Sequence, residues 1–232
     1  AYAACVSYID AQVGKLIKQL QESGVSDNTV VIFIGDHGWH LGDQGMWGKT
    51  TNFENATLSP LIISVPGMAK GKRLNQLVEY VDIYPTLADL AGFQPGNYLE
   101  GTSFVPLLEN PERKWKDAAF SQFPRGKAME GLAIRTDNFR YVEWRDGKDN
   151  SLLVAELYDH RKDSLETINV ADDEGYKEIV IDLAKQLKDG WKAALPDGIT
   201  NNSNNPLAPP AVGWGAEANK NSAKKANGIK KD

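Results

Sequence analysis

The sequence predicts an α/β fold: a helix-and-sheet core, then a small antiparallel sheet with one helix, then an extended tail. Three observations carry this expectation: an amphipathic stretch at the start, two unbroken apolar runs flanking a glycine-rich loop, and short strand-like segments after residue 118. Val6, Ile9, Val13, Leu16, Ile17 and Leu20 recur at three- and four-residue steps and stop by Gly24, the spacing of a helix with one apolar face. That helix is under way at the first residues, with no initiator methionine, basic region or apolar leader, so Ala1 is expected to be a processed or truncated start. Val30 to Ile34 is a β-branched and aromatic run without polar alternation, which predicts a strand buried on both faces of a parallel-rich sheet covered by helices. Pro60-Leu61-Ile62-Ile63-Ser64-Val65-Pro66-Gly67 predicts a second buried strand closed by a turn. A helix is expected from near Asp82, with Pro85 in its first turn and Gly92 closing it.

The polar stretch Glu109-Asn110-Pro111-Glu112-Arg113-Lys114 reads as an exposed, protease-accessible connector. Beyond it, Ala118 to Phe123, Gly131 to Arg135, Phe139 to Trp144 and Glu156 to Tyr158 read as short antiparallel strands, the middle two joined by a Thr136-Asp137-Asn138 turn. Lys177 to Ala193 reads as a helix covering that sheet through Ile179, Ile181, Leu183, Leu187 and Trp191, with Asp172, Asp173 and Glu174 just upstream. Arg125, Arg135 and Arg140 are read as solvated or paired sheet arginines rather than substrate contacts. Residues 201–232 lack the apolar bulk to offset their ordering entropy and are expected to run extended along the protein body. Pro206, Pro209 and Pro210 favour that course, and Trp214 is a candidate anchor. The expected division is therefore 1–110, 111–200 and 201–232.

With 232 residues, 41% of them hydrophobic and 25% charged, the chain can hold one sizeable core and a smaller one. A net charge of −5 gives no basic face for nucleic acid. No apolar run approaches the roughly 18 residues of a membrane-spanning helix. Cys5 is the only cysteine, which excludes an internal disulfide framework and is neutral about compartment.

Gly35-Asp36-His37-Gly38 sits at the carboxyl end of the first apolar run, where ligands collect in open α/β sheets. An adjacent carboxylate and imidazole can reach one cation across a sharp turn, and the flanking glycines permit that turn. Taken alone, the tripeptide reads equally well as a helix cap followed by an ordinary turn histidine. The stretch from Trp39 to Lys49 is glycine-punctuated, too irregular for a helix, and delivers one ammonium group after several aromatics.

These residues resemble the type I sulfatases of the alkaline phosphatase superfamily, most closely the C-terminal portion of the iduronate-2-sulfatase-like branch. The matching pieces are Asp36-His37-Gly38-Trp39, the continuation Leu41-Gly42-Asp43-Gln44-Gly45-Met46-Trp47-Gly48-Lys49, and Asn52-Phe53-Glu54-Asn55-Ala56-Thr57 leading to Pro60-Leu61-Ile62. Val81 to Gly92, Ala133 to Thr136, Arg140-Tyr141-Val142, Glu156-Leu157-Tyr158-Asp159 and Glu166-Thr167-Ile168-Asn169 follow in order. The resemblance implies the C-terminal part of an alkaline-phosphatase-like α/β core over 1–110 and an α+β subdomain over 111–200. It implies Asp36 and His37 as ligands of a divalent cation, calcium first, with zinc or manganese as alternatives because imidazole suits them better. Lys49 would contact the sulfate group, both binding substrate and acting in catalysis. Trp39 would line the sugar-facing wall, a core tryptophan being the other reading. His40 and Gln44 are weaker candidates, and many related loops carry histidine where this chain has Gln44.

The implied reaction is hydrolysis of sulfate esters, of a sulfated polysaccharide or glycosaminoglycan, by a formylglycine nucleophile. That residue arises in a Cys-x-Pro-x-Arg or Ser-x-Pro-x-Arg motif, which this sequence lacks. Cys5 is followed by Val6-Ser7-Tyr8, and Ser64-Val65-Pro66-Gly67-Met68 carries Met68 where arginine is required. The chain is therefore expected to act with an N-terminal sulfatase portion, to be inert alone, and to meet a sulfated carbohydrate rather than nucleic acid or a membrane. By resemblance its compartment is periplasmic, extracellular or lysosomal. Two other readings stand beside this one: a phosphate or phosphonate monoester hydrolase of the same superfamily, and a non-catalytic binding or structural subunit.

Overall fold

A computed structural model describes residues 1–203 apart from Ala69 and Pro95. The expectations for Pro206, Pro209, Pro210 and Trp214 lie outside the described residues. In chain order the elements are α1 (Tyr2–Glu22), β1 (Val31–Ile34), β2 (His40–Leu41), β3 (Trp47–Gly48), α2 (Glu54–Thr57), β4 (Leu61–Ser64), α3 (Ile83–Leu90) and α4 (Val105–Glu109). There follow β5 (Ala119–Arg125), β6 (Met129–Arg135), β7 (Phe139–Asp146), β8 (Leu152–Asp159) and α5 (Lys177–Asp189). The architecture is mixed α/β, as the sequence predicts. The chain forms two compact units, Ala1–Asp36 with Pro60–Lys72, and His37–Ser59 with Arg73 onward.

In the first unit, α1 ends where Gly24 takes a left-handed conformation at φ +69°, which a side chain would resist. β1 pairs antiparallel with β4, Val31 opposite Ser64 and Ile34 opposite Leu61. The burial expected of both strands is not found. Phe33, Ile34 and Ile62 are 37%, 43% and 62% exposed, because a two-stranded sheet covers neither of its own faces. Among the described residues every strand pairing is antiparallel. The apolar stripe of α1 is only half covered: Val6, Ile9 and Leu16 are exposed, Val13, Ile17 and Leu20 are half-buried, and the helix has no buried residue.

In the second unit, β5 to β8 form an antiparallel meander in sequence order. Phe120, Ile134, Tyr141 and Leu157 lie side by side across its four strands. α5 packs on that row through Leu183 and Leu187, with Ile179 one turn earlier, and this is the main buried apolar cluster. Ile181, expected among the covering positions, faces solvent at 64% exposure, since it falls off the i, i+4 stripe. The helix stops at Asp189 rather than Ala193 because Gly190 has φ +78°.

The opposite face of the sheet carries the segment from Thr51 to Thr57. Asn52 is buried and its Nδ2 donates to the Gly131 carbonyl at 3.1 Å, while the Ser121 hydroxyl donates to Asn52 Oδ1 at 3.2 Å. Gly131 permits this approach, because a Cβ there would lie 2.7 Å from both Asn52 Nδ2 and the Trp144 ring. The Phe53 ring sits 5.6 Å from that of Tyr158. Before α3, the fully buried Asp82 accepts from Lys116 Nζ on both oxygens, at 2.7 and 2.9 Å, from Thr102 N at 2.8 Å and from Glu79 N at 2.8 Å. Every lone pair of this buried charge thus meets a donor, as burial of a carboxylate requires.

Candidate active site

The loop after β1 is closed by the short β2/β3 ladder, with His40 opposite Gly48 and Leu41 opposite Trp47. Four backbone positions in it take positive φ: Gly42 (+113°), Gln44 (+49°), Gly45 (+69°) and Gly48 (+117°). The hairpin thereby returns the chain so that residues 37 and 49, at its two ends, meet. The Lys49 ammonium donates to His37 Nε2 at 2.5 Å, and His37 Nδ1 lies 2.8 Å from the Gly38 carbonyl. Together these contacts assign the Nδ1-protonated tautomer, with Nδ1–H donating to Gly38 and the Nε2 lone pair turned toward the ammonium. The Trp39 ring lies 6.2 Å from the imidazole and is 43% exposed, so it is not a core tryptophan.

Gly38 is required by packing. Its N–H donates to the Ala56 carbonyl at 2.9 Å, and a Cβ in its place would sit 1.9 Å from the Asn55 carbonyl oxygen. Asp36 ends the contiguous stretch of the first unit and His37 opens the second. Of the weaker candidates, Gln44 donates through Nε2 to the Leu165 carbonyl at 2.5 Å, which engages it in holding the loop. His40 is fully buried and bonded to Thr51. The backbone N–H of Leu41 donates to Asp43, whose carboxyl is held below the usual range chiefly by that bond.

Sequence reasoning missed a buried ionic network under α2. Arg140 is 1% exposed; its Nε donates to Glu166 Oε1 at 2.5 Å, and its Nη2 donates to Glu54 Oε2 and, at 3.0 Å, to Thr57 Oγ1. Arg135 adds bonds to Glu54 at 3.1 and 3.3 Å. Glu166, at φ +55°, also accepts from the Glu54 backbone N–H and from His160 Nε2, both at 2.7 Å. Burial pushes the Glu166 carboxyl up, but the His160 hydrogen bond and the Arg140 charge outweigh it and hold the group below its ordinary value. The reading of Arg135 and Arg140 as paired agrees with these contacts, whereas Arg125 stacks on Phe123 and Trp144.

Two groups bear on metal binding. Glu54, His160 and Glu166 have ligand-type atoms within 4.8 Å of one another. Their oxygens are already met by the guanidinium of Arg140, and a cation there would face that charge at contact distance, so this donor set does not fit an ion. His37 offers a single ligand atom: its Nδ1–H is held on a backbone carbonyl, the arrangement that orients a metal-ligating imidazole, and Nε2 becomes free for an ion once the Lys49 ammonium now on it turns away.

Residues 1–93 match the family model described as Sulfatase. They belong to the sulfatase family. Among curated relatives, a Formosa agariphila sulfatase is 33% identical over 177 residues, which are 76% of this chain and 33% of the relative. The chain thus spans about a third of the length of that sulfatase. Among solved structures, one determined in complex with its substrate D-glucosamine-2-N,6-O-disulfate superposes with a TM-score of 0.72 at 28% identity, covering 79% of this chain and 38% of its own. The phosphonate monoester hydrolase of Agrobacterium radiobacter gives a TM-score of 0.70 at 33% identity, covering 78% of this chain and 38% of its own. The sulfatase match at residues 1–93 takes in Asp36, His37, Trp39 and Lys49.

Proposed function

We propose that this chain is the C-terminal portion of a sulfatase of the iduronate-2-sulfatase-like branch, hydrolysing sulfate esters of a sulfated polysaccharide or glycosaminoglycan. The observation that carries the reading is the Lys49 ammonium on His37 Nε2, at the mouth of a loop within the sulfatase match. Asp36 and His37 would hold a divalent cation, calcium first, with zinc or manganese as alternatives. Such an ion supplies Lewis-acid stabilisation of the sulfuryl oxygens. Lys49, whose ammonium already reaches the atom where the ion would bind, turns to a sulfuryl oxygen and stabilises the charge that grows there in the transition state. The exposed Trp39 face offers a flat apolar wall to a pyranose ring.

The formylglycine nucleophile would come from an N-terminal portion outside this chain, which leaves the chain inert alone. The exposed apolar side chains of α1, β1 and β4, among them Leu16, Ile34 and Ile62, support that partner, because they are surface that another segment could cover. A periplasmic, extracellular or lysosomal setting follows only from family likeness. A test compares turnover of an aryl sulfate before and after Asp36→Ala. Loss of bound divalent cation together with activity supports the assignment, and retention of both rejects it. The second reading, a phosphonate or phosphate monoester hydrolase, draws on the Agrobacterium radiobacter likeness. A higher kcat/KM on a phenyl phosphonate monoester than on the matching sulfate would favour it.

A further inference from the structure

His40 is the fully buried histidine of the site loop. Its Nε2 lies 2.9 Å from the Thr51 hydroxyl, and its Nδ1 has no partner. An apolar ring would fill the same space beside Phe53, whose centroid is 5.9 Å away, without leaving a buried nitrogen unpaired. What the imidazole adds is the bond to Thr51. That bond closes a frame around Lys49. On one side His40 pairs across the ladder with Gly48, the residue before the lysine. On the other, Thr51 is 7% exposed and its backbone N–H donates to the Lys49 carbonyl at 2.9 Å, while its hydroxyl also accepts from Phe53 N at 3.3 Å. Lys49 itself is exposed and long, and beyond its bond to His37 nothing in its own packing fixes where the ammonium points.

We infer that His40 and Thr51 are positioning residues, which hold the backbone on both sides of Lys49 so that its ammonium stays on the site side of the hairpin. The inference rests on the reading of Lys49 as the sulfate contact. Neither residue touches substrate; each acts through the lysine.

The experiment uses the complete active protein with 4-nitrophenyl sulfate, comparing Thr51→Val, Thr51→Ser, His40→Phe and Lys49→Ala. Thr51→Val keeps the shape and deletes the hydroxyl. It should lower kcat about 10- to 100-fold with KM within about 2-fold, as for a misplaced group that acts in the transition state. Thr51→Ser should restore turnover, and His40→Phe should match Thr51→Val. In parallel, the 15N resonance of His37 Nε2 in metal-free protein, read well below each melting temperature, should shift in Thr51→Val and His40→Phe but not in Thr51→Ser. That signal separates lost positioning from lost stability. If Lys49→Ala abolishes turnover while Thr51→Val and His40→Phe leave both kcat and the His37 signal unchanged, the positioning role is overturned and the site reading stands. Full turnover in Lys49→Ala overturns both.

Discussion

Lys49 and Gly38 illustrate two ways in which one residue can matter at the same loop. Lys49 is exposed and held by a single side-chain contact, to His37, so its removal should hardly disturb folding. Lys49→Ala is expected to lower kcat by about 100-fold or more, the usual effect of deleting one transition-state donor, with the melting temperature within about 2 °C of wild type. Parallel losses of rate and melting temperature would mark the lysine as structural instead. Gly38 is the reverse case. A methyl group there meets the Asn55 carbonyl, so Gly38→Ala must push the loop off α2 and should destabilise by about 1–3 kcal/mol in urea unfolding. Asp36, His37 and Lys49 stood out in the sequence as a motif, and the structure brings His37 and Lys49 into contact. His40, which shares their loop and chemistry, was not separable from them, because only the ladder pairing shows which face of the hairpin it occupies.

At the level of elements, α2 and the four-stranded sheet are joined by charge. Glu166 is held below the ordinary carboxyl range, and so is Asp159, chiefly by the hydrogen bond from Arg161. A carboxyl lowered in the folded state adds stability that is complete above its unfolded pKa, about 4, and that disappears as pH falls through the lower folded value. Unfolding free energy should therefore drop on acidification below about pH 4. Arg161→Ala should flatten part of that slope, as read from urea midpoints between about pH 2.5 and 7. A slope unchanged in that variant would deny Asp159 its share. Removing Arg140 is expected to be more severe, because it strands Glu166 and Glu54 without their common partner. Arg140→Ala should cost about 3–5 kcal/mol at neutral pH, measured by the same titration. The longer elements, α1, β1, β4, α3, β5 to β8 and α5, were legible within a few residues, since each is written in local periodicity, whereas α2, α4 and the β2/β3 ladder were not. The network was not: Glu54 lies 86 positions before Arg140, and a sequence gives no sign that two such distant charges will be buried together.

For the whole molecule, the open surfaces are the informative feature. Val6, Leu16 and Ile62 of the first unit are 57%, 71% and 62% exposed; the second unit closes a core over α5 but also leaves Trp47, Leu58 and Phe93 open. The isolated chain should bind a hydrophobic dye such as ANS, and Leu16→Lys with Ile62→Lys should reduce that binding without moving the main unfolding transition. Dye binding unaffected by the pair would mean that the exposed surface lies elsewhere. The sequence by itself determined the order and type of the longer elements, the position of the loop and the absence of a nucleophile motif. All of these depend on neighbours a few residues apart. Tertiary structure alone decided that β1 and β4 pair antiparallel and stay half open, that Gln44 and His40 hold the loop, and that buried arginine and glutamate tie α2 to the sheet. Burial and pairing are properties of segments that meet across long stretches of chain, and the free energy that selects them appears only once those segments are in contact.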